Sequence, residues 1–158
     1  MATSKRKPTG LDQVDWTLLE ELQADARQTH SSLARKVNLS PPAVAERIAR
    51  LERAGVIRGY YTGVDATQLG WPIEAIVHFR RPRGAHENAV AAITAIPEVI
   101  ECHRVTGPQF LVLKIRAAST RHLERVLKAL ALHGESETAV ILSTTLSHRP
   151  VRPPADKD

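Results

Sequence analysis

Two arginines, Arg47 and Arg50, are the side chains of this sequence best suited to recognise an anion. A guanidinium group presents a planar fork of N–H donors that fits the edge of a guanine or the oxygens of a phosphate. At about 100° per residue along a helix, both arginines share a flank with Glu46. The small residues Pro42 and Ala43 lie on that flank too and would let the end of a helix approach base edges. The pattern favours a surface that reads DNA; in the alternative, the flank is an ordinary solvated face on which Glu46 pairs with Arg50.

Two short helices within residues 29–55 are predicted to position that flank. Thr29 suits the N-cap of the first helix, because its hydroxyl can accept from the free N–H groups of the first turn. Asn38 tolerates the left-handed conformation that ends a helix. Ser40 and Pro41 then start the second helix. The Ser40 hydroxyl can cap it, and the missing N–H of Pro41 costs nothing at the first helical position. Such a pair is typical of a helix-turn-helix. The second helix would bury Val44, Ile48 and Leu51 and end at Gly55.

A further helix precedes this pair. Asp12 suits its N-cap, and Asp15 lies three residues on, where an acid supports both the cap and the positive helix end. Its apolar positions are Leu18, Leu19 and Leu22. Residues 11–55 therefore predict a three-helix domain.

Charge favours nucleic acid as the partner of this domain. The chain has a net charge of +5, and between residues 27 and 58 seven basic residues accompany only two acids. An excess of this sign and clustering favours a polyanion such as double-stranded DNA. Residues 1–10 are predicted to form a disordered basic arm. The candidate DNA contacts are Arg35, Lys36, Ser40, Pro42, Ala43, Glu46, Arg47 and Arg50. Replacing Arg47 or Arg50 by alanine should weaken DNA binding without unfolding the protein, because neither lies on the buried stripe.

The second half of the chain alternates between strand and helix patterns. A linker strand over 56–64 and a turn complete residues 56–71, and 72–148 form the next domain, followed by a disordered tail over 149–158. The predicted elements of that domain are strands over 73–79, 98–105, 110–115 and 137–146, and helices over 86–96 and from an N-cap at Thr120. The order β-α-β-β-α-β is the ferredoxin-like arrangement, so the fold class is α+β.

Motifs of catalysis are missing from the sequence, which has no P-loop, no G-x-G-x-x-G and no H-E-x-x-H. Cys102 and His103 would point to opposite faces of a strand, so neither a shared metal site nor a nucleophilic pair is expected. No apolar run approaches the roughly 18–20 residues that cross a bilayer. We expect a protein that is not an enzyme, needs no cofactor, has no membrane partner and acts in the cytoplasm at the nucleoid.

The sequence resembles the Lrp/AsnC (feast/famine) family of regulators. The resemblance to the helix-turn-helix domain of that family rests on Leu11-Asp12, Asp15, Leu18-Leu19, Leu33-Ala34, Leu39-Ser40, Val44, Arg47-Ile48, Leu51-Glu52, Gly55-Val56-Ile57 and Gly59-Tyr60. The resemblance to its effector domain rests on Leu69-Gly70, Pro97-Glu98-Val99-Ile100-Glu101-Cys102 and Val105-Thr106-Gly107. Together they cover roughly residues 11–147.

The resemblance implies a dimer whose ferredoxin-like sheets pack together, often assembled into tetramers or octamers. It also implies that amino-acid-type effectors bind between subunits near a loop formed here by Thr106, Gly107, Pro108, Gln109 and Phe110. Phe110 falls where the family usually has an acid, and Pro108 has no N–H to offer. A carboxylate is the natural partner of an ammonium group. We therefore expect weak binding of simple zwitterionic amino acids, whether the Phe110 ring fills the loop or packs into the core.

These observations predict a transcriptional regulator that binds a pseudo-palindromic operator as a dimer or a larger assembly, with a small amino-acid-like effector as a further partner. An architectural DNA binder with little sequence preference is one alternative, because the same basic helix would permit it. A ligand-sensing interaction module that merely retains a helix-turn-helix is the other.

Overall fold

A computed structural model describes residues 10–80 and 89–154. The described residues form two compact units. The helical unit comprises those up to Gly63 together with those from Leu146, and the sheet unit is Val64–Thr145. The predicted arm over 1–10 lies outside the described residues except for Gly10, which is exposed.

The helical unit contains α1 (Gln13–Ala24), α2 (His30–Val37) and α3 (Pro41–Arg53). Their starts follow the predicted caps. Asp12 forms a capping box with Asp15, and the hydroxyls of Thr29 and Ser40 accept from backbone N–H groups of the first turns of α2 and α3. Asn38 ends α2 in the left-handed conformation, with φ of 53°. Each of these predictions is confirmed.

The core of the helical unit joins all three helices. The stripe predicted for α3 is buried, and it packs with one side chain of α1 and two of α2. The core side chains are Leu18, Leu33, Ala34, Val44 and Ile48, each at most 5% exposed. Because the stripe fixes the rotation of α3, it also determines which side chains of that helix face solvent.

The sheet unit follows the order β1 (Ile73–Arg80), α4 (Ala89–Thr94), β2 (Val99–Arg104), β3 (Leu111–Ala117), α5 (Thr120–Ala131) and β4 (Glu135–Val140), after a short 3-10 turn at Thr67–Leu69. The strands pair antiparallel in the order β2-β3-β1-β4, which is the predicted ferredoxin-like topology.

Alternate residues of the central strands divide the sheet into two faces. The face under the helices is a continuous apolar core that includes Phe79, Leu113 and Ile115, all fully buried, with Ile93 from α4 and Leu130 from α5. The opposite face is mixed. It presents Glu74, Ile76, His78, Val112, Lys114 and Arg116, each half-buried.

The predicted linker strand over 56–64 is wrong for the single chain. The backbone N–H groups of Val56 and Ile57 both donate to the Leu51 carbonyl, at 2.9 and 3.2 Å, and so close the end of α3. Residues 58–65 pair with none of the described strands. A β-branched, aromatic run makes a strand only where a neighbouring strand supplies hydrogen bonds, and none of the strands that the structure describes does so.

The ends of the sheet unit also differ from prediction. The last strand stops at Val140 instead of residue 146. Its register with β1 ends where Val140 lies opposite Ala75, and one further bond follows, from the Ile141 N–H to the Glu74 carbonyl at 2.9 Å. The cap of α5 is Ser119, whose hydroxyl accepts from the His122 N–H at 3.1 Å, and not Thr120. The part of the helix predicted over 86–96 that precedes Ala89 lies outside the described residues.

The predicted disordered tail makes a defined contact within the helical unit. Gln23 of α1 holds Val151 by two hydrogen bonds, its Oε1 accepting from the Val151 N–H at 2.8 Å and its Nε2 donating to the Val151 carbonyl at 3.0 Å. The prediction of disorder is therefore wrong at this position. Residues 155–158 lie outside the described residues.

Candidate DNA-binding site and effector loop

Arg47 and Arg50 of α3 contact two acids at the start of α1. Nη1 of Arg47 lies 2.7 Å from Oδ2 of Asp12 and 2.9 Å from Oδ1 of Asp15. Nη2 of Arg50 lies 2.7 and 2.6 Å from the two carboxylate oxygens of Asp15. The Asp15 side chain is only 1% exposed, whereas the two arginine side chains are 30% and 48% exposed. These arginines therefore join α1 to α3 as well as presenting charge at the surface.

The pKa values of the cluster follow from these contacts. Burial raises the pKa of Asp15, but hydrogen bonds from Arg50 and Arg47 outweigh that effect, and the pKa stays below its ordinary value. The pKa of Asp12 is lowered by the Asp15 N–H and by Arg47. Asp12 and Asp15 in turn raise the pKa of Arg47. Both carboxylates and the Arg47 guanidinium are therefore charged at neutral pH.

Other predicted contacts on α2 and α3 are distributed differently. Lys36 pairs with Glu21 of α1, and its Nζ also donates to Gln28 at 2.8 Å. Glu46 pairs with Arg53 at 2.9 Å, not with Arg50 as the alternative interpretation expected. Arg35 is exposed and has no ion-pair partner among the described residues.

The first turn of α3 leaves few backbone donors for a phosphate. Pro41 and Pro42 carry no N–H, and the Ala43 N–H donates to the Ser40 hydroxyl at 3.4 Å. Side chains must therefore supply the donors at this helix end. Pro42 and Glu46 are exposed there, and Ala43 is half-buried.

Sequence reasoning missed the role of Asp12 and Asp15 as partners of the arginines. The acids were recognised as cap residues from a spacing of three. Their contacts with Arg47 and Arg50 span 32 to 35 residues, which no local periodicity reveals. Opposite charges at the start of α1 and the middle of α3 were the available signal.

The predicted effector loop lies between β2 and β3. Thr106, Gly107 and Pro108 are exposed, and Gly107 has φ of 98°. The Phe110 N–H donates to the Phe79 carbonyl at 2.8 Å, and its half-buried ring packs against the apolar core of the sheet unit. The Phe110 ring is therefore part of the sheet unit's packing.

A cation accompanies that ring. The guanidinium carbon of Arg104 lies 5.2 Å from the centre of the Phe110 ring, a cation–π distance that sequence reasoning did not anticipate. Within residues 10–80 and 89–154, no cluster of His, Cys, Asp or Glu could hold a metal ion. Over the same ranges, no helix is both long and apolar enough to cross a membrane.

The fold and the site together define a class, that of DNA-binding regulators with a C-terminal ligand-binding domain. Residues 11–58 match the family model described as winged helix-turn-helix DNA-binding, and residues 74–151 match the Lrp/AsnC ligand binding domain. The chain belongs to the Lrp/AsnC family of transcriptional regulators, which are not enzymes.

Relatives of known name cover nearly the whole chain. The HTH-type transcriptional regulator LrpC of Bacillus subtilis is 35% identical over 133 residues, covering 84% of this chain and 92% of the relative. Regulator Rv2324 of Mycobacterium tuberculosis is 39% identical over 144 residues, covering 89% and 97%. The feast or famine regulatory protein Rv3291c of M. tuberculosis, solved with L-methionine, has a TM-score of 0.85 at 35% identity, covering 90% of this chain and 99% of that one.

Proposed function

We propose that this regulator binds a pseudo-palindromic operator as a dimer or a larger assembly, acting in the cytoplasm at the nucleoid. The observation that carries the proposal is the rotation of α3. Its stripe of Val44, Ile48 and Leu51 is buried, which leaves Pro42 and Glu46 exposed on the opposite flank. A recognition helix reads bases with the exposed residues near its N-terminus.

Unpaired cations of the helical unit, as far as the structure describes it, support contact with DNA phosphates. Arg27, Arg35 and Arg58 are exposed and form no ion pair with any described residue. Such side chains supply the sequence-independent part of DNA binding. This part weakens at higher salt concentration, because releasing counterions from the DNA then becomes less favourable. Arg47 and Arg50 contribute to the same surface, because their side chains stay partly exposed beside the acids that they contact.

The mixed face of the sheet unit supports self-association. Ile76 and Val112 lie on this face, beside an ion-pair group in which Glu74 binds Lys114 and Arg116, each at 2.8 Å. The Nδ1 atom of His78 is buried on this face and has no hydrogen-bond partner among the described residues. A second copy packed here would cover the apolar side chains, as the family resemblance implies.

The effector is proposed to be a small carboxylate with an apolar side chain. Arg104 places a positive charge beside Phe110. Glu101, the acid next along β2, already pairs with His103 at 3.1 Å. A carboxylate thus finds a partner near the loop more readily than an ammonium does. Methionine, the ligand named for the related structure of Rv3291c, has a side chain of this apolar kind.

Selection of genomic fragments by the purified full chain tests the proposal. The recovered fragments should share two half-sites related by two-fold symmetry, one helical turn or a multiple of it apart. Affinities for these fragments and for shuffled versions, measured at several salt concentrations, then separate specific from non-specific binding. Equal affinity for the selected and the shuffled fragments would favour the alternative of an architectural DNA binder. In that case Arg47 and Arg50 would serve mainly to pair with Asp12 and Asp15.

A further inference from the structure

Asp12 uses its two carboxylate oxygens for two different tasks. Oδ1 accepts from the Asp15 N–H at 2.8 Å and caps α1. Oδ2 accepts from Nη1 of Arg47 at 2.7 Å. Capping needs an oxygen and no charge, since asparagine and serine cap a helix about as well as aspartate does. The negative charge of Asp12 is therefore available for its contact with Arg47.

The charges of the cluster cancel. Two carboxylates, of Asp12 and Asp15, face the two guanidiniums of Arg47 and Arg50. The Asp15 side chain is only 1% exposed, so an approaching phosphate has little access to its contacts with the two arginines. The Asp12 side chain is 51% exposed, so its contact with Arg47 is the one that an approaching DNA phosphate can replace.

We propose that Asp12 is a specificity-determining residue, which holds Arg47 back from non-specific DNA and releases it only at an operator. The inference rests on the proposed DNA-binding function. On random DNA, Arg47 would exchange the Asp12 carboxylate for a phosphate, which is one anion for another. The phosphate would also be repelled by Asp12, so the exchange gains little free energy. A guanine edge, which accepts two hydrogen bonds from one guanidinium, offers Arg47 more than Asp12 does.

The test uses the full chain carrying Asp12→Asn, which retains the cap and removes the charge. The probe is a duplex of random sequence, titrated at several salt concentrations. We expect Asp12→Asn to bind the random duplex about two- to fivefold more tightly than the unaltered protein at low salt, because breaking one exposed ion pair changes affinity by about that factor. The slope of log affinity against log salt should steepen by about 0.9, which corresponds to one further phosphate contact. The preference for fragments recovered by genomic selection over the random duplex should fall.

Glu20→Gln is the matched control, because it removes one exposed acid from α1 that has no ion-pair partner among the described residues. It should reproduce only the general effect of one added unit of net charge. Asp12→Ser gives a second variant with a capping oxygen and no charge. In an Arg47→Ala background, Asp12→Asn should act no differently from Glu20→Gln.

Two results would overturn the inference. If Asp12→Asn and Asp12→Ser match Glu20→Gln in salt slope and in preference for selected fragments, Asp12 does not determine specificity, although the chain still binds DNA. If the unaltered protein binds no duplex even at low salt, the proposed function fails, and the inference fails with it.

Discussion

The Nη2 atom of Arg50 lies 2.6 Å from one carboxylate oxygen of Asp15 and 2.7 Å from the other, and the Asp15 side chain is almost completely shielded from water. A buried carboxylate is tolerated only when its charge is compensated and its oxygens accept hydrogen bonds. The same guanidinium is half-exposed and lies on the helix that is predicted to read DNA. Stability and the proposed recognition of DNA therefore depend on a common group of side chains.

Replacing Arg50 by alanine should destabilise the protein. Of the cations that the structure describes beside Asp15, the substitution leaves Arg47 alone, and we expect a loss of about 1–3 kcal/mol in the free energy of unfolding. Urea unfolding followed by circular dichroism measures this loss. Arg35→Ala, which removes an exposed arginine with no ion pair among the described residues, should change stability by less than about 0.5 kcal/mol. Equal stability of the two variants would contradict the structural role of Arg50. The sequence predicts that Arg50→Ala weakens DNA binding without unfolding the protein, and the contact with Asp15 adds the expectation of a lower stability.

Stability should fall with pH in acid, partly because of the Asp12–Asp15 cluster. The pKa values of both carboxyls are lowered in the folded protein. Their contribution to stability is therefore complete above the unfolded-state pKa of about 4 and is lost as the pH drops through the lower folded-state values. Urea midpoints measured between pH 7 and about pH 2.5 should decrease less steeply for Asp15→Asn than for the unaltered protein. Parallel curves would show that this cluster contributes nothing to acid unfolding.

Arg35→Ala should weaken DNA binding without regard to sequence. Arg35 lies exposed on α2 and has no acid partner among the described residues, so a phosphate is its natural ligand. Affinity should fall for selected and random duplexes alike, and the salt slope should decrease by about one. Arg121→Ala, which removes an exposed arginine from α5 of the sheet unit, is the control and should have little effect. A loss of about 1–3 kcal/mol confined to one base position would instead assign base reading to Arg35.

What could be predicted from the sequence was the local structure. The caps at Asp12, Thr29 and Ser40 each depend on residues within three positions, and all were found. The prediction of a strand over 56–64 was wrong because the residue pattern contains no information on whether a neighbouring strand is present to form hydrogen bonds. The contact between Asp15 and Arg50 was missed because only the packing of α1 against α3 brings together residues that are 35 positions apart.

Self-association through the mixed face of the sheet unit should be sensitive to Ile76→Glu. The glutamate would place a charge on a face that also carries the half-buried Val112, and burying that charge without a partner against a second copy costs several kcal/mol. Analytical ultracentrifugation of the full chain should show a dimer or larger species for the unaltered protein and a shift to monomer for the variant. Leu132→Glu, an equal change at a side chain 84% exposed, is the control. Unchanged sedimentation of Ile76→Glu would exclude this face as the interface.

The final prediction concerns the loop of Thr106–Phe110. A free amino acid brings one ammonium and one carboxylate out of water, and each needs a charged or hydrogen-bonding partner. The Gly107 N–H and the Arg104 guanidinium suit the carboxylate. Pro108 has no donor, and Phe110 has an apolar ring packed against the core of the sheet unit. An ammonium group would therefore gain little from this loop.

Calorimetric titration of the assembled protein should consequently show weak binding of leucine, asparagine and lysine. Methionine and its des-amino analogue separate the two charges, and we expect the analogue to bind at least as tightly, because it brings no ammonium that must be desolvated. Gly107→Ala serves as the matched variant, since φ of 98° strains any residue with a Cβ while the space around the glycine is open. Submillimolar binding of leucine, asparagine or lysine that disappears in Gly107→Ala would contradict this account, because the loop would then hold an ammonium group without the acid that we consider necessary.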